Sequence, residues 1–131
     1  MKVEIRDTQD KGRCVFATEA IAKGETYEAE GIFLNELSIP KNSEIWMYTF
    51  STGTPHKILL VLDWPSFMSD DKNNANMKYK QNGDNMSMVF TAKRDIEAGE
   101  ELTINYGYDV FEHAQLYGFN IDEWNNATVG G

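Results

Sequence analysis

Turn-forming clusters interrupt this chain so often that no long helix fits between them, and that punctuation constrains the fold more than any other feature. Asp10-Lys11-Gly12, Ile21-Ala22-Lys23-Gly24-Glu25, Asp63-Trp64-Pro65, Asn82-Gly83-Asp84-Asn85 and Asp95 to Glu100 each carry the Gly, Pro, Asn or Asp chemistry that reverses a backbone. Between them lie short runs suited to strands. Val3 and Ile5 alternate with polar neighbours, Arg13-Cys14-Val15-Phe16-Ala17 follows a turn, and Met77-Lys78-Tyr79-Lys80 returns as Met86 to Lys93, the clearest hairpin in the sequence. Tyr27, Ile32, Phe33 and Leu34 predict one or two strands broken near Gly31, and Ile58 to Leu62 is an apolar run of strand length. Helix signals are few: a short helix over residues 42–50, capped at Asn42 or Ser43, and another opening at Asp109-Val110-Phe111-Glu112 and stopping at Gly118. Residues 69–76 read as too polar for anything but a loop. The expectation is a mostly β fold, in one domain over residues 1–131.

Composition narrows the function classes. A chain of 131 residues that is 41% hydrophobic can bury a core, so it needs no staple. None is available, because the single cysteine, Cys14, has no internal disulfide partner and two histidines do not complete a structural zinc site. No apolar run approaches the ~20 residues of a membrane helix, and MKVEIRDTQDKGR lacks the apolar block of a signal peptide. A soluble, intracellular protein with no membrane partner is expected. The net charge of −9 argues against nucleic acid, whose phosphates demand Lys and Arg clusters, and favours a basic partner such as a lysine-rich tail. On charge alone, solubility is a sufficient explanation.

One echo runs through the chain. Val15-Phe16-Ala17 precedes Ile21-Ala22-Lys23-Gly24-Glu25, and Val89-Phe90-Thr91 precedes Ile96-Glu97-Ala98-Gly99-Glu100. It reads as shared turn chemistry, with glycine supplying a positive φ, and not as a repeat.

GRCVFATEAIAKGE near the start and VFTAKRDIEAGEELTINYGYD near the end resemble the two conserved ends of the SET domain, the fold of most protein lysine methyltransferases. The second match is the more specific, because Gly-Glu-Glu-Leu-Thr followed closely by Tyr-Gly is hard to reach by chance. The resemblance spans nearly the whole chain and suggests a minimal, viral-type member without cysteine-rich zinc regions. It implies several small sheets with short helices, a core over about residues 1–109, and a C-terminal segment over 110–131, with pseudoknot-like threading of the chain under an earlier loop.

The resemblance also implies chemistry. Methyl transfer from S-adenosylmethionine to a lysine requires a neutral amine, although free lysine has a pKa near ~10.4. A narrow apolar channel penalises the ammonium, and uncharged phenols wall the channel and aim the lone pair. By resemblance, Tyr106 is the catalytic tyrosine and Tyr108 lines the same channel; Tyr48, Phe50 and Tyr79 are candidate substrate-binding walls. Equally, those three rings are ordinary core aromatics. For the cofactor, the resemblance points to Gly12, Arg13 and Cys14 at the N-terminal turn, to Asp70 and Asp71 in the polar loop, and to Trp124 as an adenine-stacking ring. The family's Asn-His-Ser loop is here Asp70-Asp71-Lys72-Asn73-Asn74-Ala75-Asn76, in which Asn76 alone survives, and a shift of one residue would put Ser69 first. Two functions follow: an S-adenosylmethionine-dependent protein lysine methyltransferase acting on a basic protein or peptide, or a SET-like module without catalysis that binds a basic partner. The oligomeric state stays open, a homodimer among the options.

Overall fold

The computed structural model describes residues 1–105; the expectations for Tyr106, Tyr108, Trp124, the helix after Asp109 and the threading of the C-terminal segment lie outside them. Among the described residues, nine strands pair in the order β1-β2-β9-β7-β8-β3-β5-β4, with β6 joined to β9. The first hairpin forms as the turn chemistry predicts, with β1 (Val3–Thr8) antiparallel to β2 (Gly12–Ala17). The second, β7 (Met77–Gln81) with β8 (Ser87–Ala92), forms likewise around Asn82-Gly83-Asp84-Asn85. Alternation decides which faces are buried: Met88, Phe90 and Ala92 of β8 and Leu102 and Ile104 of β9 (Glu101–Ile104) are almost fully enclosed.

Gly31 does not break its strand. β3 (Thr26–Asn35) is continuous but changes partner there: Thr26 to Glu30 pair with β8, and Gly31 to Asn35 pair with β5 (Lys57–Val61). Only glycine fits the crossing point, because a Cβ at position 31 would lie 2.1 Å from the carbonyl oxygen of Leu60. β4 (Thr49–Ser51) completes this end of the sheet against β5.

The expected helix over residues 42–50 is shorter and tighter than an α-helix. Ser43 caps a 3₁₀ turn over Glu44–Tyr48, accepting from the Ile45 N–H at 3.3 Å, and Phe50 already belongs to β4. Asp63 caps another over Trp64–Phe67, accepting from the Trp64 N–H at 2.7 Å.

The polar stretch after Met68 is not all loop either. Ser69–Asp70 forms β6, parallel to β9. Hydrogen bonding to a distant strand outweighs the poor strand preference of these two residues, a contest that local sequence does not reveal.

The echoed turns meet each other. The Ile21 N–H donates to Ile96 O and the Ile96 N–H to Ile21 O, both at 2.8 Å. Gly24 N–H donates to Ala92 O and Gly99 N–H to Ala17 O, while Ala92 N–H donates to Glu25 O and Ala17 N–H to Glu100 O. Each turn thus closes the strand that precedes the other, a local two-fold arrangement beyond the shared turn chemistry expected.

Candidate active site

β9 is the strand on which the candidate residues converge, because it changes partner halfway along. Its first half pairs with β2 (Phe16 with Glu101, Val15 with Leu102), and its second half pairs with β6 (Ser69 with Thr103, Asp70 with Ile104). Met77 of β7 also pairs with Ile104. β6 therefore takes the place on β9 that the start of β2 would otherwise fill, so the Gly12-Arg13-Cys14 segment stays paired with β1 but not with β9. Asn105 follows β9 directly, and Tyr106 is the next residue in the sequence.

Asn76 fastens β9 at the fork. Its side chain is almost fully buried and makes three hydrogen bonds: Nδ2 donates to Glu101 O at 2.8 Å and to Glu100 Oε2 at 3.1 Å, and Oδ1 accepts from the Thr103 N–H at 2.9 Å. Glu100 is held in turn by Arg94 Nη1 at 2.7 Å and by the Glu97 N–H at 3.2 Å. Burial opposes the Glu100 charge, but the hydrogen bonds from Arg94, Asn76 and Glu97 outweigh it and keep the carboxyl below its ordinary value. Sequence reasoning noted Asn76 only as the surviving loop residue. Its structural part was visible in one signal, a carboxamide placed directly before the apolar start of a strand.

The candidate cofactor residues separate by side chain. Cys14 is fully buried, with Sγ 3.3 Å from Ser69 Oγ, so what Gly12-Arg13-Cys14 presents outward is backbone and the Arg13 side chain. The Arg13 guanidinium sits 4.9 Å from the centre of the Phe67 ring. Both residues line a cleft of about 530 Å³ together with Tyr48, Leu60, Trp64 and Ser66. Asp71 is committed to its loop: its N–H donates to Ile104 O at 2.8 Å, and its carboxylate accepts from the Asn73 and Asn74 N–H groups at 3.1 and 3.0 Å. Asp70 is exposed beside it.

The candidate substrate walls divide into two groups. Tyr48 lies in the Arg13 cleft, its ring 6.0 Å from Phe67. Phe50 and Tyr79 meet elsewhere, packed edge to face at 5.1 Å, with Phe90 beneath them 5.4 Å from Phe50. Burial raises the Tyr79 pKa, and the charge of Asp70 raises it further, so the phenol stays protonated at neutral pH. The described residues include no cluster of His, Cys, Asp and Glu able to hold a metal ion.

β9 thus lies at a fork in a mixed sheet, antiparallel to β2 and parallel to β6 and β7. The SET domain family model matches residues 12–107, and the chain belongs to that family. A histone-lysine N-methyltransferase of Schizosaccharomyces pombe, H3 lysine-37 specific, is 32% identical over 120 residues, covering 80% of this chain and 73% of the relative. Among solved structures, a Plasmodium falciparum protein assigned as a histone methyltransferase superposes with a TM-score of 0.64 at 21% identity, over 82% of this chain and 99% of that one. KRYPTONITE, crystallised with mCHH DNA, an H3(1–15) peptide and SAH, superposes with a TM-score of 0.66 at 21% identity. This chain covers only 23% of KRYPTONITE, so that likeness concerns the fold of one part of it.

Proposed function

We propose that this chain is an S-adenosylmethionine-dependent protein lysine N-methyltransferase acting on a basic, histone-like segment. The observation that carries the reading is that Arg13, from the Gly12-Arg13-Cys14 segment that β6 displaces from β9, lines one cleft with Tyr48, Trp64 and Phe67. The H3 specificity in the name of the Schizosaccharomyces relative supports the substrate class, and SAH in KRYPTONITE supports the cofactor.

The cleft fits that cofactor chemically. Its volume falls in the ordinary range for small-ligand sites of roughly 300–1,000 Å³. Tyr48, Trp64 and Phe67 offer aromatic surface for a purine, and Arg13 offers a fork of donors for a carboxylate. Asp70, exposed at the fork, suits a cationic amino group where a neutral amide would bind less strongly. When bound, S-adenosylmethionine supplies a methyl group whose bond to sulfur breaks as its bond to the lysine nitrogen forms.

The remaining work falls to the chain's own residues. Phe50 and Phe90 exclude water on one side of Tyr79, which makes an ammonium costly there and favours the neutral amine. The protonated Tyr79 phenol can face that amine without forming an ion pair that would hold its proton. Tyr106 and Tyr108 take the orienting role by their match to the family motif, Tyr106 following Asn105 in the sequence. An acidic protein attracts the basic segment that carries the lysine.

Calorimetry with S-adenosylhomocysteine, combined with mass spectrometry of histone H3 incubated with protein and S-adenosylmethionine, tests the reading. Saturable binding and lysine methylation are expected, and Tyr106→Phe should keep the binding while turnover falls about 100-fold or more, the scale of losing one aligned donor. Capture of basic peptide without any cofactor binding would make the chain a non-catalytic module.

A further inference from the structure

One ion pair spans the fork in β9. Lys11 Nζ donates to both carboxylate oxygens of Glu101 at 2.7 Å, joining the first hairpin turn to the last described strand. Ser69 Oγ donates to the same carboxylate at 3.5 Å while lying 3.3 Å from Cys14 Sγ. A single carboxylate therefore touches the residue before Gly12-Arg13-Cys14 and the residue before Asp70. It also stands on β9, which precedes Tyr106 in the sequence.

The pair contributes little to holding the fold. The Glu101 side chain is 20% exposed and that of Lys11 46%, and ion pairs in such surroundings add little stability. The Glu101 main chain is already fixed by pairing with Phe16 and by the Asn76 side chain. Past Val15, however, the ladder between β2 and β9 has ended, and Lys11 with Glu101 crosses the gap that follows. Burial alone would lower the Lys11 pKa, but the hydrogen bond and charge of Glu101 overcome it, so the lysine stays cationic.

We propose that Glu101 is a positioning residue that, through Lys11 and Ser69, sets the distance between the Gly12-Arg13-Cys14 segment and β9 that cofactor binding requires. The inference rests on the methyltransferase reading. Glu101→Gln and Lys11→Met are to be compared with the unaltered protein by calorimetry with S-adenosylhomocysteine, by kinetics that saturate cofactor and peptide separately, and by ligand-free hydrogen exchange. Cofactor Kd and KM should rise about fivefold or more, while kcat, the peptide KM and the melting temperature hold. Exchange should quicken at residues 11–14 and 69–71 alone, and Lys11→Arg should restore the cofactor KM. Unchanged cofactor affinity, or a fall in melting temperature with both KM values rising together, would overturn the proposal. An unaltered protein that binds no cofactor would refute the methyltransferase reading and the positioning role with it, whereas unchanged exchange in Glu101→Gln would refute the positioning role alone.

Discussion

Replacing Asn76 by alanine should destabilise the protein more than its polar character suggests. The substitution removes a carboxamide whose three partners all lie on Glu100, Glu101 and Thr103. Glu100 keeps its bonds from Arg94 and Glu97, so its loss is partial. The Glu101 carbonyl and the Thr103 N–H lose a partner each at a place where Asn76 is itself almost fully buried. An unsatisfied buried group costs roughly 1–3 kcal/mol, which puts the total for the two at about 2–6 kcal/mol. That is a large share of the ~5–15 kcal/mol by which native domains are stable. Urea titration followed by tryptophan fluorescence should show a lower midpoint with an unchanged slope. A loss under about 0.5 kcal/mol would mean that water or a shifted loop replaces the carboxamide, and the account of Asn76 as the fastener of β9 would fail. Asn76→Asp sharpens the test, because it exchanges a donor for an acid 3.1 Å from Glu100 Oε2 and should be worse at neutral pH than in mild acid.

Gly31→Ala should cost roughly 1–3 kcal/mol or more, since the new Cβ meets the main chain of Leu60 rather than a movable side chain, and an unchanged melting temperature would refute the crossing-point argument. The depressed Glu100 pKa fixes a sign for the acid limb of stability: the contribution is complete above the ordinary carboxyl value of 4.5 and fades as pH falls through the lower folded value. Arg94→Met should therefore flatten the melting temperature profile below about pH 4.5, and a profile parallel to that of the unaltered protein would show that the Arg94 bond is not its cause.

The elements legible in the sequence were those whose cause is local. The β1-β2 and β7-β8 hairpins follow from turn residues adjacent to the strands they join. β6 was not legible, because Ser69 and Asp70 become a strand only through Thr103 and Ile104, far along the chain. Gly31 gave a true signal of a special backbone position, but one glycine does not distinguish a strand that stops from a strand that changes neighbours. The site divides the same way. The family motifs point to the Gly12-Arg13-Cys14 segment, whereas the grouping of Tyr48 with Arg13 and Phe67, and of Phe50 with Tyr79, depends on which faces of separate elements meet. The part played by Glu101 depends on a contact with Lys11 across most of the chain.

The reciprocal closure of the Ile21 and Ile96 turns has a kinetic consequence. The Glu25 N–H closes the early turn locally on Ala22 O, but the Ala17 N–H and carbonyl bond to Glu100 and Gly99, and the Gly24 N–H and Glu25 carbonyl bond to Ala92. During synthesis these distant bonds must wait until residues 92–100 have left the ribosome. Contacts so distant in sequence slow folding, because loop closure is disfavoured by entropy before any bond compensates it. Once both turns are present they set together, so the first and last strands of the site acquire their geometry in the same late step.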